Sequence, residues 1–282
     1  MSLTRIPEVA DRNAGTARAS ARPSISLSDA DRPSGVGTAL VLLGIVPLLY
    51  LALLLPDAAA TWIIREDHPI EATGALSLLA ASIACFVLWR RVRDDARWPA
   101  LRRLALLGLA LLFFFGFGEE MSWGQRIFGF GTPGSLQASN VQNETTVHNL
   151  KLFSGALEMD TLFQYFWLLT GVIIPVLALW RTPRRRLERL IPILPIALAP
   201  LFLLNQVLTR GFAELFTRHP GLYNSSQFRY EHAIFETKET VASLLLAAGF
   251  WLLLRHQRNT RAELEADAHA SASMSDVAVG PR

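Results

Sequence analysis

Two successive carboxylates, Glu119 and Glu120, end an apolar run of this chain and are followed closely by Ser122 and Arg126. On a continuous helix Glu119, Ser122 and Arg126 fall at i, i+3 and i+7 and share a face, with Glu120 turned about 100° away. His232, Glu236 and Glu239 are spaced i, i+4 and i+7, again one helical face. Glu144 and His148 are i and i+4, so both side chains reach one ion if their segment is helical.

Carboxylate oxygens and imidazole nitrogens are the donors of a divalent metal such as zinc. Glu144, His148, His232, Glu236 and Glu239 are the candidate ligands. A metal held by them would lower the pKa of a bound water and make a nucleophile at neutral pH. Glu120 then suits a general base, and Glu119 and Ser122 join it as candidate catalytic residues. Arg126, Arg210 and Arg229 offer forked hydrogen bonds to a phosphate. Gln142 and Asn143 complete the candidate binding set. A plainer reading stands beside this one. Glu119 or Glu120 pairs with Arg126 or Arg210 between helices, and His148 and His232 donate to carbonyls at loop ends.

The elements that must position these groups are apolar and too short. Leu104–Gly118 runs into Glu119, Leu190–Leu204 into Asn205 and Gln206, and Val241–Leu254 follows Glu236 and Glu239. Crossing about 30 Å of hydrocarbon takes roughly 20 residues, so each crossing recruits a turn of polar residues. Such residues are expensive in lipid and usually functional.

With 51% hydrophobic and 18% charged residues among 282, the chain is too apolar for an ordinary soluble domain. The expected fold is all-α and polytopic, with about six transmembrane helices: Gly37–Leu55, Ala72–Trp89, Leu104–Trp123, Thr161–Trp180, Leu190–Thr209 and Glu236–Leu254. Arginine alternates sharply between the connections. Arg90, Arg91, Arg93, Arg97, Arg102 and Arg103 crowd the second, and Arg181, Arg184, Arg185, Arg186 and Arg189 the fourth. The first has only Arg65, and the third only Arg126 and Lys151. By the positive-inside rule both termini of this multi-pass chain are expected to be cytoplasmic. The fifth connection, with Arg210, Arg218, Arg229 and Lys238, fits this least well.

The basic pI of about 9.4 therefore reflects topology, with arginines anchoring helix ends to anionic lipid. No basic stripe interleaved with aromatics points to nucleic acid. Cys85 is the sole cysteine, which excludes a disulfide framework or a cysteine-based zinc site. Ala58-Ala59-Ala60 resembles a signal-peptide cut, but the basic region before it is too long, so the first segment is read as a retained helix.

Residues 1–35 and 257–282 are polar tails expected to lack order, flanking a transmembrane domain over 36–256. The third connection holds the turn-forming Gly129-x-Gly131-Thr-Pro-Gly134, then Val147, Leu150, Phe153 and Leu157 in the pattern of an interfacial helix. Pro192, Pro195 and Pro200 should bend the fifth helix. Asn143-Glu-Thr and Asn224-Ser-Ser fit the glycosylation pattern, which is common by chance. His68, His219, His256 and His269 are read as solvated.

Glu119-Glu-Met-Ser-Trp-Gly-Gln-Arg-Ile-Phe128 and Gln142-Asn-Glu-Thr-Thr-Val-His-Asn-Leu150 resemble two blocks of a family of uncharacterised bacterial polytopic integral membrane proteins. That family carries Glu-Glu-x-Ser-Trp-Gly-Gln-Arg and then Gln-Asn-Glu-Thr-x-x-His-Asn. The likeness spans about 35 residues and implies membership without implying an activity. A looser likeness is to the membrane hydrolases that include alkaline ceramidases, whose metal ligands are richer in histidine.

Three functions follow as expectations. One is a metal-assisted hydrolase or transferase acting on a lipid or lipid-linked headgroup at the outer face. Another is a cation- or proton-coupled transporter, since intramembrane carboxylates carry protons. The third is a scaffold whose outer loops hold a partner membrane protein. Membrane lipid is the partner common to all three.

Overall fold

Residues 35–65, 68–95, 98–132, 134, 146 and 159–278 are described by the computed structural model, and every regular element among them is helical. Five helical stretches are long and apolar enough to cross a membrane: Val36–Leu54, Asp57–Val92 (the two helices Asp57–Ile64 and Pro69–Val92), Ala100–Glu120, Ile196–Arg218 and Tyr230–Asn259. A sixth apolar helix, Thr161–Leu177, is shorter. The interfacial helix expected after Thr146 and the N-terminal tail both lie outside the described residues.

Helix α1 (Val36–Leu51) ends in a 3-10 turn over Ala52–Leu54. A short α2 (Asp57–Ile64) follows within the expected first connection, started by Pro56 and with Asp57 in its first turn. Proline and acid at a helix start suit its unpaired N–H groups. Next come α3 (Pro69–Val92) and α4 (Ala100–Glu120). The small α5 covers Gln125–Phe128. Helix α6 (Met159–Leu168) passes through a π-helical turn, Leu169–Ile173, into α7 (Ile174–Leu177). Pro175 has no N–H to offer the Gly171 carbonyl, and widening the turn absorbs the lost hydrogen bond.

The fourth connection becomes a basic helix of its own, α8 (Arg181–Leu190). The prolines break the fifth helix where the sequence suggests only a bend. Pro192 and Pro195 lie in non-helical chain, and α9 (Ala199–Arg218) starts with Pro200 in its first turn. Proline is tolerated there and not in a helix interior. Helix α9 also continues nine residues past the expected end at Thr209, and α10 (Tyr230–Ala278) starts six residues before Glu236. The loop between them shrinks to 219–229.

The tail expected to lack structure after 257 is helical as far as Ala278. Extending an existing helix avoids the cost of nucleation. Arg261 to Ala270 is rich in alanine, glutamate and other helix formers, and the next helix breakers are Gly280 and Pro281.

Helix α10 is the centre of the bundle. In its most apolar window 67% of residues are buried, against 22% in α1 and 17% in α4. It packs on α3, α9 and α1, and α3 packs on α4. Small residues are buried on both helices, Gly74, Ala75, Ala81, Ala84 and Cys85 on α3 and Ala242, Ser243 and Ala247 on α10, and Gly74 faces Thr240 across the contact. Small side chains let backbones approach closely, which is how helices associate in lipid. Meanwhile Leu40, Leu104, Leu111 and Val207 are more than three-fifths exposed. Such a belt suits hydrocarbon and not water.

Candidate functional site at one end of the bundle

Helix register brings the acids to one level. Ser82 Oγ donates to the Ala110 carbonyl at 2.7 Å, and a Cβ on Gly116 would meet Leu78 Cδ1 at 3.2 Å. Position numbers fall along α3 as they rise along α4, so the two helices are antiparallel. Eight residues back from Ser82 to Gly74, and eight on from Ala110 to Gly118, rise by the same distance of about 12 Å. Gly74 in turn faces Thr240, whose Oγ1 donates to the Ile70 carbonyl at 2.9 Å. Glu71, Glu119, Glu120, Lys238 and Glu239 therefore share a layer near the ends of α3, α4 and α10.

Within this layer Glu119 is buried, at 5% exposure. The indole Nε1 of Trp123 donates to its Oε1 at 2.6 Å. The helical face expected to carry Glu119, Ser122 and Arg126 does not form, because α4 ends at Glu120. Ser122 (φ 44°), Trp123 (φ 52°) and Gly124 (φ 78°) form a left-handed run that folds the chain back. Left-handed backbone costs a non-glycine residue about 1–2 kcal/mol. Part of the return is the indole seat: Trp123 lies against Gly118, where a Cβ would stand 2.8 Å from the ring, and packs edge-on to Phe115 at 5.6 Å. Ser122 is fully buried, and Glu120 is partly exposed.

On α10 Lys238 is buried at 4% exposure. Its ammonium lies 3.8 Å from the centre of the Phe235 ring and 3.4 Å from Gln164 Oε1 on α6. Beneath it a neutral network ties three helices. Asn205 Nδ2 donates to the Lys238 carbonyl at 2.9 Å, and the Tyr50 hydroxyl donates to Asn205 Oδ1 at 2.7 Å. Asn205, which the sequence marks as a costly polar residue in an apolar run, here closes the α1–α9–α10 contact.

The candidate metal ligands are only partly gathered. His232 stacks on Phe228 at 5.7 Å, and its Nδ1 stands 3.7 Å from Glu236 Oε1, so these two candidate donors meet. Among the described residues no group of three or more His, Cys, Asp or Glu forms a metal-holding cluster. Glu144, His148, Gln142 and Asn143 lie outside the described residues, as does the side chain of Arg126. Arg210 is exposed on α9, and Arg229 forms a 3.0 Å ion pair with Glu231. None of Glu119, Glu120, Ser122, Glu236 and Glu239 is without a partner.

Outside the helices, the loop 219–229 is latched to α2. Asp57 Oδ1 accepts from the Ser226 backbone N–H at 2.8 Å, and the Ser226 hydroxyl reaches Asp57 Oδ2 at 3.0 Å. In that loop, burial against Phe216 and Tyr230 pushes the Tyr223 phenol above its ordinary pKa. The hydrogen bond to Glu231 shifts the Arg229 guanidinium further upward.

Lys238 and Gln164 are the site residues that sequence reading missed. Counting Lys238 among loop charges hid its periodicity: Ile234, Lys238, Val241 and Leu245 recur at helical spacing and are all buried. No family model matches this chain, and neither a curated protein nor a solved structure does.

Proposed function

We propose that this chain is a multi-pass protein of a bacterial inner membrane whose acid–lysine layer faces the outer leaflet. There it acts as a hydrolase or transferase on a lipid or lipid-linked headgroup. The observation that carries this reading is the left-handed Ser122–Trp123 turn, one residue beyond Glu119–Glu120. Two non-glycine residues held in that conformation represent strain of a kind found at active sites.

In this reading Glu120, the more accessible acid, takes a proton from water or an acceptor hydroxyl. That oxygen bonds to the acyl or phosphoryl centre of the headgroup linkage. As the bond to the leaving oxygen breaks, the protonated carboxyl returns its proton to that oxygen. Glu119, fixed by the Trp123 indole, positions the turn. Lys238 adds positive charge at the layer, which suits an anionic headgroup. A divalent metal would require Glu144 and His148 to join His232 and Glu236. Elemental analysis of the purified full chain, with and without His148→Ala, tests that addition.

Lipid extracts from cells carrying wild type or Glu120→Gln provide the functional test. Accumulation of one headgroup-bearing lipid in the variant is expected. Identical extracts, with the variant folded and abundant, would remove the enzymatic reading.

Lys238 favours a second reading. A buried ammonium level with carboxylates is also the makings of a proton-coupled transporter. Proton flux into proteoliposomes that disappears with Lys238→Met, while lipid profiles stay unchanged, would select it.

A further inference from the structure

At the other end of the bundle α1 begins beside the point where the apolar stretch of α10 gives way to arginine. A groove of about 580 Å³ opens between them. Thr38, Arg255 and Asn259 line its polar part, and Val41 and Leu252 its apolar part. On both helices three residues separate the two chemistries, Thr38 from Val41 and Arg255 from Leu252. That is a rise of about 4.5 Å in each. The two walls thus change from polar to apolar in the same direction and over the same depth.

We infer that this groove binds a single anionic phospholipid, with its phosphate on Arg255 and the start of its acyl chains on Val41 and Leu252. Arg255 is exposed, and among the described residues it has no carboxylate partner, so its forked donors are available to a phosphate. Val41 is 64% exposed and is followed at i+4 and i+7 by Ile45, 38% exposed, and Leu48, 63% exposed, so the apolar wall continues deeper along α1. A small hydrophilic anion would leave that wall bare, whereas a lipid covers it. The volume lies within the range of pockets that enclose small amphiphiles. Gly37 keeps the groove open: a Cβ placed there meets no atom within 4 Å. This inference needs the chain to sit in a membrane and is independent of any chemistry at the acid layer.

The test uses the full chain in detergent, with native mass spectrometry after adding phosphatidylglycerol or phosphatidylethanolamine of identical acyl chains. Wild type should retain one phosphatidylglycerol in preference to phosphatidylethanolamine. Arg255→Gln should lower that retention about fivefold, the effect of one cation at a lipid surface. Gly37→Leu should block the groove and lower retention of both lipids, with the lipid-free unfolding midpoint unchanged or raised, since leucine favours helix over glycine. Retention equal to wild type in both variants overturns the inference. So does equal retention of the two lipids, which would indicate a nonspecific annulus. Displacement of phosphatidylglycerol by inorganic phosphate at equal concentration would instead identify a free-anion site and also overturn it.

Discussion

The Trp123 indole donates to Glu119 Oε1 across 2.6 Å, although only four residues separate them and the helix ends between them. An i, i+4 pair on an unbroken helix would also be adjacent. Here the left-handed turn delivers the ring from the opposite direction and seats it on Gly118. Trp123→Phe keeps an aromatic ring but removes the donor. A hydrogen bond to a buried carboxylate contributes about 1.5–3 kcal/mol, so the unfolding midpoint in detergent should fall. An unchanged midpoint would mean that the bond contributes nothing.

The π-helical turn should tolerate no side chain at Gly171. A Cβ there overlaps the ring of Phe202, which stacks on Trp167 at 5.8 Å. Gly171→Ala should destabilise the bundle by about 1–3 kcal/mol through overpacking. Phe202→Leu in the same chain should recover part of the loss, because the two positions touch. Strict additivity in the double mutant would place the damage elsewhere.

Asn205 joins α1 to α10 through Tyr50 and the Lys238 carbonyl. Interhelical hydrogen bonds of this kind contribute about 0.6–2 kcal/mol each in membrane bundles. Asn205→Leu should cost about that much, and Tyr50→Phe should add little once Asn205 is gone. Measured coupling near zero between the two would break the proposed tie.

Tyr223 supplies a pH signature. Its folded pKa lies above the unfolded value because burial disfavours the phenolate. The neutral form is therefore bound more tightly in the folded state. That stability is complete below the ordinary tyrosine pKa of about 10 and is lost as pH rises beyond it. Comparing wild type with Tyr223→Phe between neutral and strongly alkaline pH should show a steeper alkaline decline in wild type. Parallel curves would contradict the assignment.

What the linear chain determined was the helical class, the near-positions of the apolar helices and the acids at their ends. Those depend on runs of leucine, alanine and phenylalanine and on hydration cost, both local properties. Clustered prolines and arginines between Arg181 and Pro200 also marked where two helices would separate, although a bend was expected instead of a break. Contacts between distant segments decided the rest. Lys238 reads as a loop charge until Gln164 on α6 and Asn205 on α9 meet it, and Asn205 reads only as a costly polar residue in an apolar run until Tyr50 arrives from 155 positions away. Likewise, nothing in Met-Ser-Trp-Gly announces a left-handed turn, because the tilt of a backbone into a costly conformation is repaid only by the indole's seat on Gly118 and Glu119. Periodicity specifies which face a residue occupies, whereas only packing specifies what that face meets.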